Sequence, residues 1–293
     1  MALVNQNLRR HVAALEGPRH RRTAPEALAE AARYIAAGFT EVGLAAEPRS
    51  FPFGSGSFAN IVAASRGARP DLPRVLVGAH YDTAPGTPGA DDNASGVAVL
   101  LEVARLLSAE SSEATIEFVA FSLEELQGMT HGVGSRAFVE EARQNGVRYA
   151  GALILEMVGY TDSRPGSQTV PPLLWWKRVP RRGTFLAAAG DGRSGGLLRT
   201  FTQAAGHAAP DLEIVTVQAP LRGWLLPITR LSDNRSFWDV GYPALMITDT
   251  AFLRNPHYHR ESDRLDTLDF GFMALVTDVV VETARRLAGG RRG

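Results

Sequence analysis

The sequence predicts an α/β sandwich in which helices cover both faces of a mostly parallel sheet. Short apolar runs rich in β-branched residues alternate with longer stretches whose apolar residues recur at helical spacing. The composition, 45 % hydrophobic and 21 % charged over 293 residues, supplies material for a large core.

Residues 25–42 place Leu28, Ala31, Ala32, Ile35 and Phe39 on one face of a helix. Pro25 suits the first turn, where its missing N–H costs nothing, and Gly43 suits the exit. Residues 59–65 and 74–79 read as strands buried on both faces. A helix follows over 93–108, with Val97, Leu100, Leu101, Ala104 and Leu107 in its stripe. Then come a strand at 115–121, a helix at 133–145 and a strand at 150–157. Beyond a Pro/Gly/Arg-rich stretch at 161–183 the alternation resumes: strand near 184–189, helix near 195–206, strands near 212–217 and 243–248. A last helix runs from about Asp269 to Leu287, with Phe272, Val276, Val279, Val280 and Leu287 inward. The reading is one domain over 1–293, with 161–183 as a surface insertion. Its segment 173–183 joins an apolar cluster to four basic residues and would cap a site or meet another subunit.

Composition excludes several classes. Basic and acidic residues both number 31, so no global field draws the chain to nucleic acid or an anionic membrane. There is no cysteine, hence no disulfide scaffold, thiol nucleophile or thiolate metal site. The N-terminus lacks the apolar core of a signal peptide, and no apolar run approaches the about 20 residues of a membrane span. These features predict a cytoplasmic protein.

Polar residues gather where the apolar runs end. His80 and Asp82 follow 74–79; Asp91, Asp92 and Asn93 open the next helix; Glu124 and Glu125 follow 115–121; Glu156 ends the apolar run 152–155. Near the C-terminus lie His257, His259, Asp263 and Asp266. Each has an ordinary explanation taken alone: a hydrogen-bonded histidine, a helix N-cap, a solvated acidic pair. Together they do not, because carboxylates and imidazoles converging at the carboxyl edge of a sheet need a positive centre. A divalent metal uses both donor types; without thiolate they suit zinc, with manganese or cobalt also allowed. His80, Asp92, Glu125, Glu156 and His259 supply two imidazoles and three carboxylates. If one carboxylate bridges two ions, each ion keeps one further carboxylate and one histidine, the composition of a hydrolytic two-metal site. Asp82, two residues from His80, would accept the imidazole N–H. Glu124 would move the proton of an activated water.

These segments together resemble metallopeptidase family 28, which includes two-zinc bacterial aminopeptidases, glutamate carboxypeptidase II, glutaminyl cyclases and transferrin receptors. The matching pieces are AHYDT at 79–83, GADDNASG at 89–96, SLEEL at 122–126, GSRAF at 134–138, LEMVGY at 155–160, SDNRSFWDVGYPAL at 232–245 and YHRESDRLDTLD at 258–269. The resemblance implies a three-layer, zinc-exopeptidase-like sandwich around a mixed, mainly parallel twisted sheet. It implies that Asp92 bridges two zinc ions, with Glu125 and His259 on one and His80 and Glu156 on the other. It makes Glu124 the general base, Asp82 the partner of His80 and Tyr258 the donor to the oxyanion, and leaves His257 a neighbour. Position 156 carries Glu where the aminopeptidases usually carry Asp, and Asn234 stands where many relatives have histidine.

The function expected is a metal-dependent aminopeptidase acting on small peptides. Alternatives on the same scaffold are a glutaminyl cyclase, an N-acyl amino acid amidohydrolase or carboxypeptidase, and a non-catalytic receptor-like module. Trp175, Trp176, Phe185, Trp224, Leu225, Phe237 and Trp238 are candidates for an apolar subsite.

Overall fold

The computed structural model describes residues 2–125, 130–174 and 177–290, the side chain of Leu173 excepted. The first helix, α1 (Ala2–Leu15), buries Leu8, His11, Val12 and Leu15 and is not among the elements expected from periodicity. The second, α2 (Pro25–Glu41), buries Leu28, Ala31, Ile35 and Phe39, while Ala32 is half-buried. Gly43, at φ +80°, ends it in the left-handed conformation that glycine adopts freely, and Leu44 N–H donates to Phe39 C=O at 3.0 Å.

The sheet has eight strands: β1 (Glu47–Phe53), β2 (Gly56–Ser65), β3 (Arg74–His80), β4 (Ile116–Phe121), β5 (Tyr149–Glu156), β6 (Leu186–Asp191), β7 (Ile214–Ala219) and β8 (Ala244–Thr248). Their order is β1-β2-β4-β3-β5-β8-β6-β7. The middle run β4-β3-β5-β8 is parallel throughout. The pairings β1–β2, β2–β4 and β6–β8 are antiparallel, and β6–β7 is parallel, so the sheet is mixed with a parallel centre. Strand β1 escapes the sequence pattern because Pro48 and Pro52 interrupt it; both are tolerated because β1 is an edge strand.

Five further helices complete the layers: α3 (Gly96–Ser108), α4 (Val133–Gln144), α5 (Gly195–Ala208), α6 (Asn234–Val240) and α7 (Phe270–Leu287). On one face α1, α2, α3, α5 and α7 share a core with Val75, Val77, Ile116, Phe118, Leu153 and Leu155. On the other, α4 and α6 pack Phe138, Phe237 and Trp238 against Leu76, Phe121 and Ile154. Successive strand residues thus enter opposite cores, and each large side chain fully removed from water contributes roughly 1.5–3 kcal/mol. No helix among the described residues is long and apolar enough to cross a membrane.

The parallel centre fixes where chemistry can occur. His80 is the last residue of β3, Glu156 the last of β5, and β4 ends three residues before Glu124. All three strands point the same way, so these residues emerge at one edge.

Candidate metal centre

Asp92 lies on a wide turn over 90–95 between β3 and α3, and the Asp92–Asn93 peptide is cis. Gly89 makes this turn possible, because at φ +62° a Cβ would stand 2.4 Å from the Asp92 carbonyl oxygen. Asn93 ties the turn to the end of β5, its Nδ2 donating to Leu155 C=O at 2.8 Å and its Oδ1 accepting from Met157 N–H at 3.0 Å. These two bonds straddle Glu156. Ser232 Oγ donates to Glu156 Oε2 at 2.7 Å and orients that carboxylate. Leu123 (φ +57°), Met157 (φ +49°) and His259 (φ +55°) all hold left-handed backbone, each at or beside a candidate residue. Such conformations cost on the order of 1–3 kcal/mol and concentrate where surrounding structure must aim a side chain.

The five candidates come together as two groups that share Asp92: His80, Asp92 and Glu156, and Asp92, Glu125 and His259. His80 Nε2 stands 3.5 Å from Asp92 Oδ1 and 3.3 Å from Glu156 Oε2. His259 Nε2 stands 3.1 Å from Asp92 Oδ2 and 3.2 Å from Glu125 Oε1. Donors about 2.0–2.2 Å from one tetrahedral ion lie about 3.3–3.6 Å apart, close to these spacings. His80 Nε2 and Asp92 Oδ1 are buried and have no hydrogen-bond partner among the described residues, as atoms placed to receive a cation would be.

Charge crowding shows in the protonation equilibria. Burial pulls the His80 imidazole down, but Glu156, Asp82 and Asp92 outweigh it and hold it well above its ordinary value. His259, likewise opposed by burial, is held up to about 10 by Asp92 and Glu125. Burial would raise the Asp92 carboxyl, yet the two imidazoles keep it below the usual range. Glu125 is pushed up to about 7 by burial and by Asp92. Glu124, 6 % exposed, is pushed well above the carboxylate range, chiefly by burial.

Asp82 differs from expectation in its partners. Its Oδ1 accepts from Glu124 N–H at 2.9 Å and its Oδ2 from Glu125 N–H at 3.1 Å. His80 Nδ1 lies 3.6 Å from that carboxylate, too far for a hydrogen bond, and 3.2 Å from the Asp82 carbonyl oxygen instead. Asp263 does for the Asp92 turn what Asp82 does for the glutamates, accepting from Asp91 N–H at 2.8 Å and Asp92 N–H at 3.1 Å. Asp91 does not cap α3; its carboxylate accepts from Gly159 N–H and from Asn255 Nδ2. Tyr258 stacks on His259 with ring centroids 3.8 Å apart. His257 turns away, its Nδ1 within 3.0 Å of Ser262 Oγ, and Asp266 is exposed. Asn234 donates to Thr229 C=O at 2.9 Å.

The aromatic candidates divide. Phe237 and Trp238 are core residues, and Phe185 is buried beneath the Arg254 guanidinium. Trp224 and Leu225 are exposed, with Arg230 over the Trp224 ring. Trp175 and Trp176 lie outside the described residues, as does Leu126 of the SLEEL motif. Beside Glu156 and Tyr258 opens an apolar cavity of about 90 Å³, walled by Leu174, Val217, Leu226, Ile228 and Met246. The 161–183 segment closes on itself through paired Asp162 and Gly183 backbone bonds and contributes Leu174 to this wall.

Sequence reasoning missed two arginines. Arg19, fully buried, donates to the carbonyls of Leu15, Gly17, Tyr81, Pro88 and Gly89, stitching the end of α1 to the Asp82 and Asp92 loops. Burial lowers it to about 10, against the pull of Asp263, Asp82 and Asp92. Arg235, inside a quoted motif but given no role, places Nη2 3.6 Å from Glu124 Oε1. Among so many arginines, neither carries a signal in the sequence.

The profile of peptidase family M28 matches residues 60–284. The chain is 37 % identical over 263 residues to uncharacterized protein YfbL of Escherichia coli (strain K12), covering 87 % of this chain and 79 % of that protein. It is 42 % identical over 91 residues to aminopeptidase YwaD of Bacillus subtilis (strain 168), covering 31 % of this chain and 19 % of that one. Among solved structures, Legionella pneumophila LapA aminopeptidase superposes with a TM-score of 0.76 at 18 % identity, over 98 % of this chain and 72 % of that chain, a likeness of fold.

Proposed function

The chain belongs to peptidase family M28, and from that premise we propose that it is a zinc-dependent aminopeptidase that removes N-terminal residues from small peptides at a two-metal centre. One observation carries the reading: Asp92 turns one oxygen toward His80 and the other toward His259. Asp92 would bridge the ions, His80 and Glu156 would complete one shell, and Glu125 and His259 the other. When bound, such ions polarise a substrate carbonyl and acidify a water molecule.

The chain's own groups supply the rest. Glu124 takes the proton of the attacking water and returns it to the departing amine. Tyr258, fixed by its stack on His259, donates its hydroxyl to the developing oxyanion. Burial and then Asp92 and Glu125 raise its phenol, so it stays a donor. The side chain of the N-terminal residue occupies the apolar cavity beside Glu156 and Tyr258, so apolar N-terminal residues are favoured. The names of YwaD and LapA agree with this activity.

A panel of aminoacyl-p-nitroanilides and their N-blocked analogues, with and without chelator, tests it. Cleavage confined to free-amine substrates, abolished by chelator and restored by zinc to two equivalents per chain, is the expected result. Equal cleavage of blocked substrates would replace it with an amidase. Conversion of a glutaminyl peptide to its pyroglutamyl form without release of a residue would replace it with a cyclase.

A further inference from the structure

Arg235 carries two guanidinium nitrogens that lack a hydrogen-bond partner among the described residues. Its side chain is 14 % exposed, and the two nitrogens, Nε and Nη2, are shielded from solvent. The nearest carboxylate oxygen, Glu124 Oε1, is 3.6 Å from Nη2, an ion-pair distance beyond hydrogen-bond length. Asp233 adds a second buried carboxyl within the field of Arg235. Two guanidinium nitrogens left unused beside desolvated carboxylates are costly, and the group that satisfies such an edge best is another carboxylate, taken bidentately.

The backbone makes room for this side chain. Gly132 crosses above Glu124, its N–H donating to Glu124 C=O at 2.8 Å. At φ +58°, a Cβ on Gly132 would stand 2.9 Å from Arg235 Nη2. Arg136 donates to the His131 carbonyl, and His131 lies in the field of both arginines. The flank of the site at Glu124 therefore carries Arg235, Arg136 and His131 beside the Glu124 and Asp233 carboxyls, whereas the flank at Glu156 and Tyr258 opens on the apolar cavity.

We infer that Arg235 anchors the free α-carboxylate of the residue whose amine departs, which makes dipeptides the preferred substrate class. The inference rests on the proposed aminopeptidase reading: Glu124 hands its proton to the leaving amine, and in a dipeptide only the α-carbon separates that amine from the carboxylate. In a longer peptide or an amide the same position holds a neutral carbonyl, and the guanidinium loses its charged partner.

The test compares kcat/KM for leucylglycine and leucylglycinamide on the metal-loaded protein, with leucyl-p-nitroanilide as reference. Wild type is expected to prefer the free acid at least tenfold, mainly through KM. In Arg235→Gln the acid-to-amide ratio falls by at least tenfold, and Arg235→Lys restores part of it. A wild-type ratio near one, or a ratio unmoved by Arg235→Gln, overturns the inference and leaves Arg235 a partner of Glu124 alone. Failure to cleave the anilide and both dipeptides would strike the aminopeptidase reading instead. Calorimetric binding of leucylglycine against its amide then decides the anchor by the same ratio.

Discussion

Replacing Asp82 with Asn tests how the candidate centre is held. The carboxylate takes Glu124 N–H at 2.9 Å and Glu125 N–H at 3.1 Å while wholly buried. An amide keeps one acceptor and sets an NH₂ against the other N–H, so one charge-assisted bond is lost and a donor–donor contact replaces it. A bond of that kind contributes about 1.5–3 kcal/mol, or roughly ten- to hundredfold if the loss falls on the site. The loss should fall on the Glu125–His259 side, because Asp82 grips Glu125 directly whereas His80 Nδ1 stands 3.6 Å away. Zinc titration of Asp82→Asn should show one binding step weakened roughly tenfold or more, with kcat/KM on leucyl-p-nitroanilide lowered at least as much. The measurement is made at a temperature where circular dichroism shows the variant folded. If activity and both binding steps stay within threefold of wild type, or if only the His80 side weakens, the backbone clamp is not what aims Glu124 and Glu125.

Glu124→Gln should lower kcat by about 10²–10⁴ while zinc content, read by atomic absorption, is unchanged. His259→Ala should lose zinc from the centre and His257→Ala should not, since the His257 ring faces Ser262 Oγ and the Tyr160 ring. The metal-free protein should lose thermal stability as pH rises from about 4 to 7. Glu125, Asp233 and Asp263 are raised to about 7, so the folded chain keeps protons that the unfolded chain releases near 4. His259, held up to about 10, extends the loss above pH 6.5. Zinc should reverse the trend, its Tm gain growing with pH because protons compete for the same atoms, as differential scanning calorimetry would show.

What the sequence reveals and what it hides follow from the range of the interactions. His80 and Glu156 are legible because each ends an apolar run, and a carboxylate or imidazole at the end of a buried strand demands a partner. Helices α2, α3 and α7 are legible because periodicity is local. Strand β1 is not, since its prolines break the pattern and only its place at the edge tolerates them. The aromatic residues are ambiguous for the same reason: Trp238 in the core and Trp224 in solvent look alike until a fold assigns them sides. Asp82 shows how far spacing reaches, its carboxylate standing 3.6 Å from His80 Nδ1. Spacing of two residues suggests His80 as partner, but its oxygens reach residues 42 and 43 positions away.

The same logic binds Asp82, Asp263 and Arg19 into one device. Asp82 clasps the successive N–H groups of Glu124 and Glu125, and Asp263 those of Asp91 and Asp92, so each acidic dipeptide of the centre is gripped by a remote carboxylate. Two more buried negative charges near an already acidic cluster would be costly alone. Arg19 lies in the field of both clasps and of Asp92, and its donors all end on carbonyls, so its charge offsets theirs without a direct ion pair. Arg19 stands outside the span matched by the family profile, residues 60–284. The end of α1 and the turn after it are thus part of the centre's support, and cutting the chain before residue 60 would remove the cation that makes its crowded carboxylates tolerable.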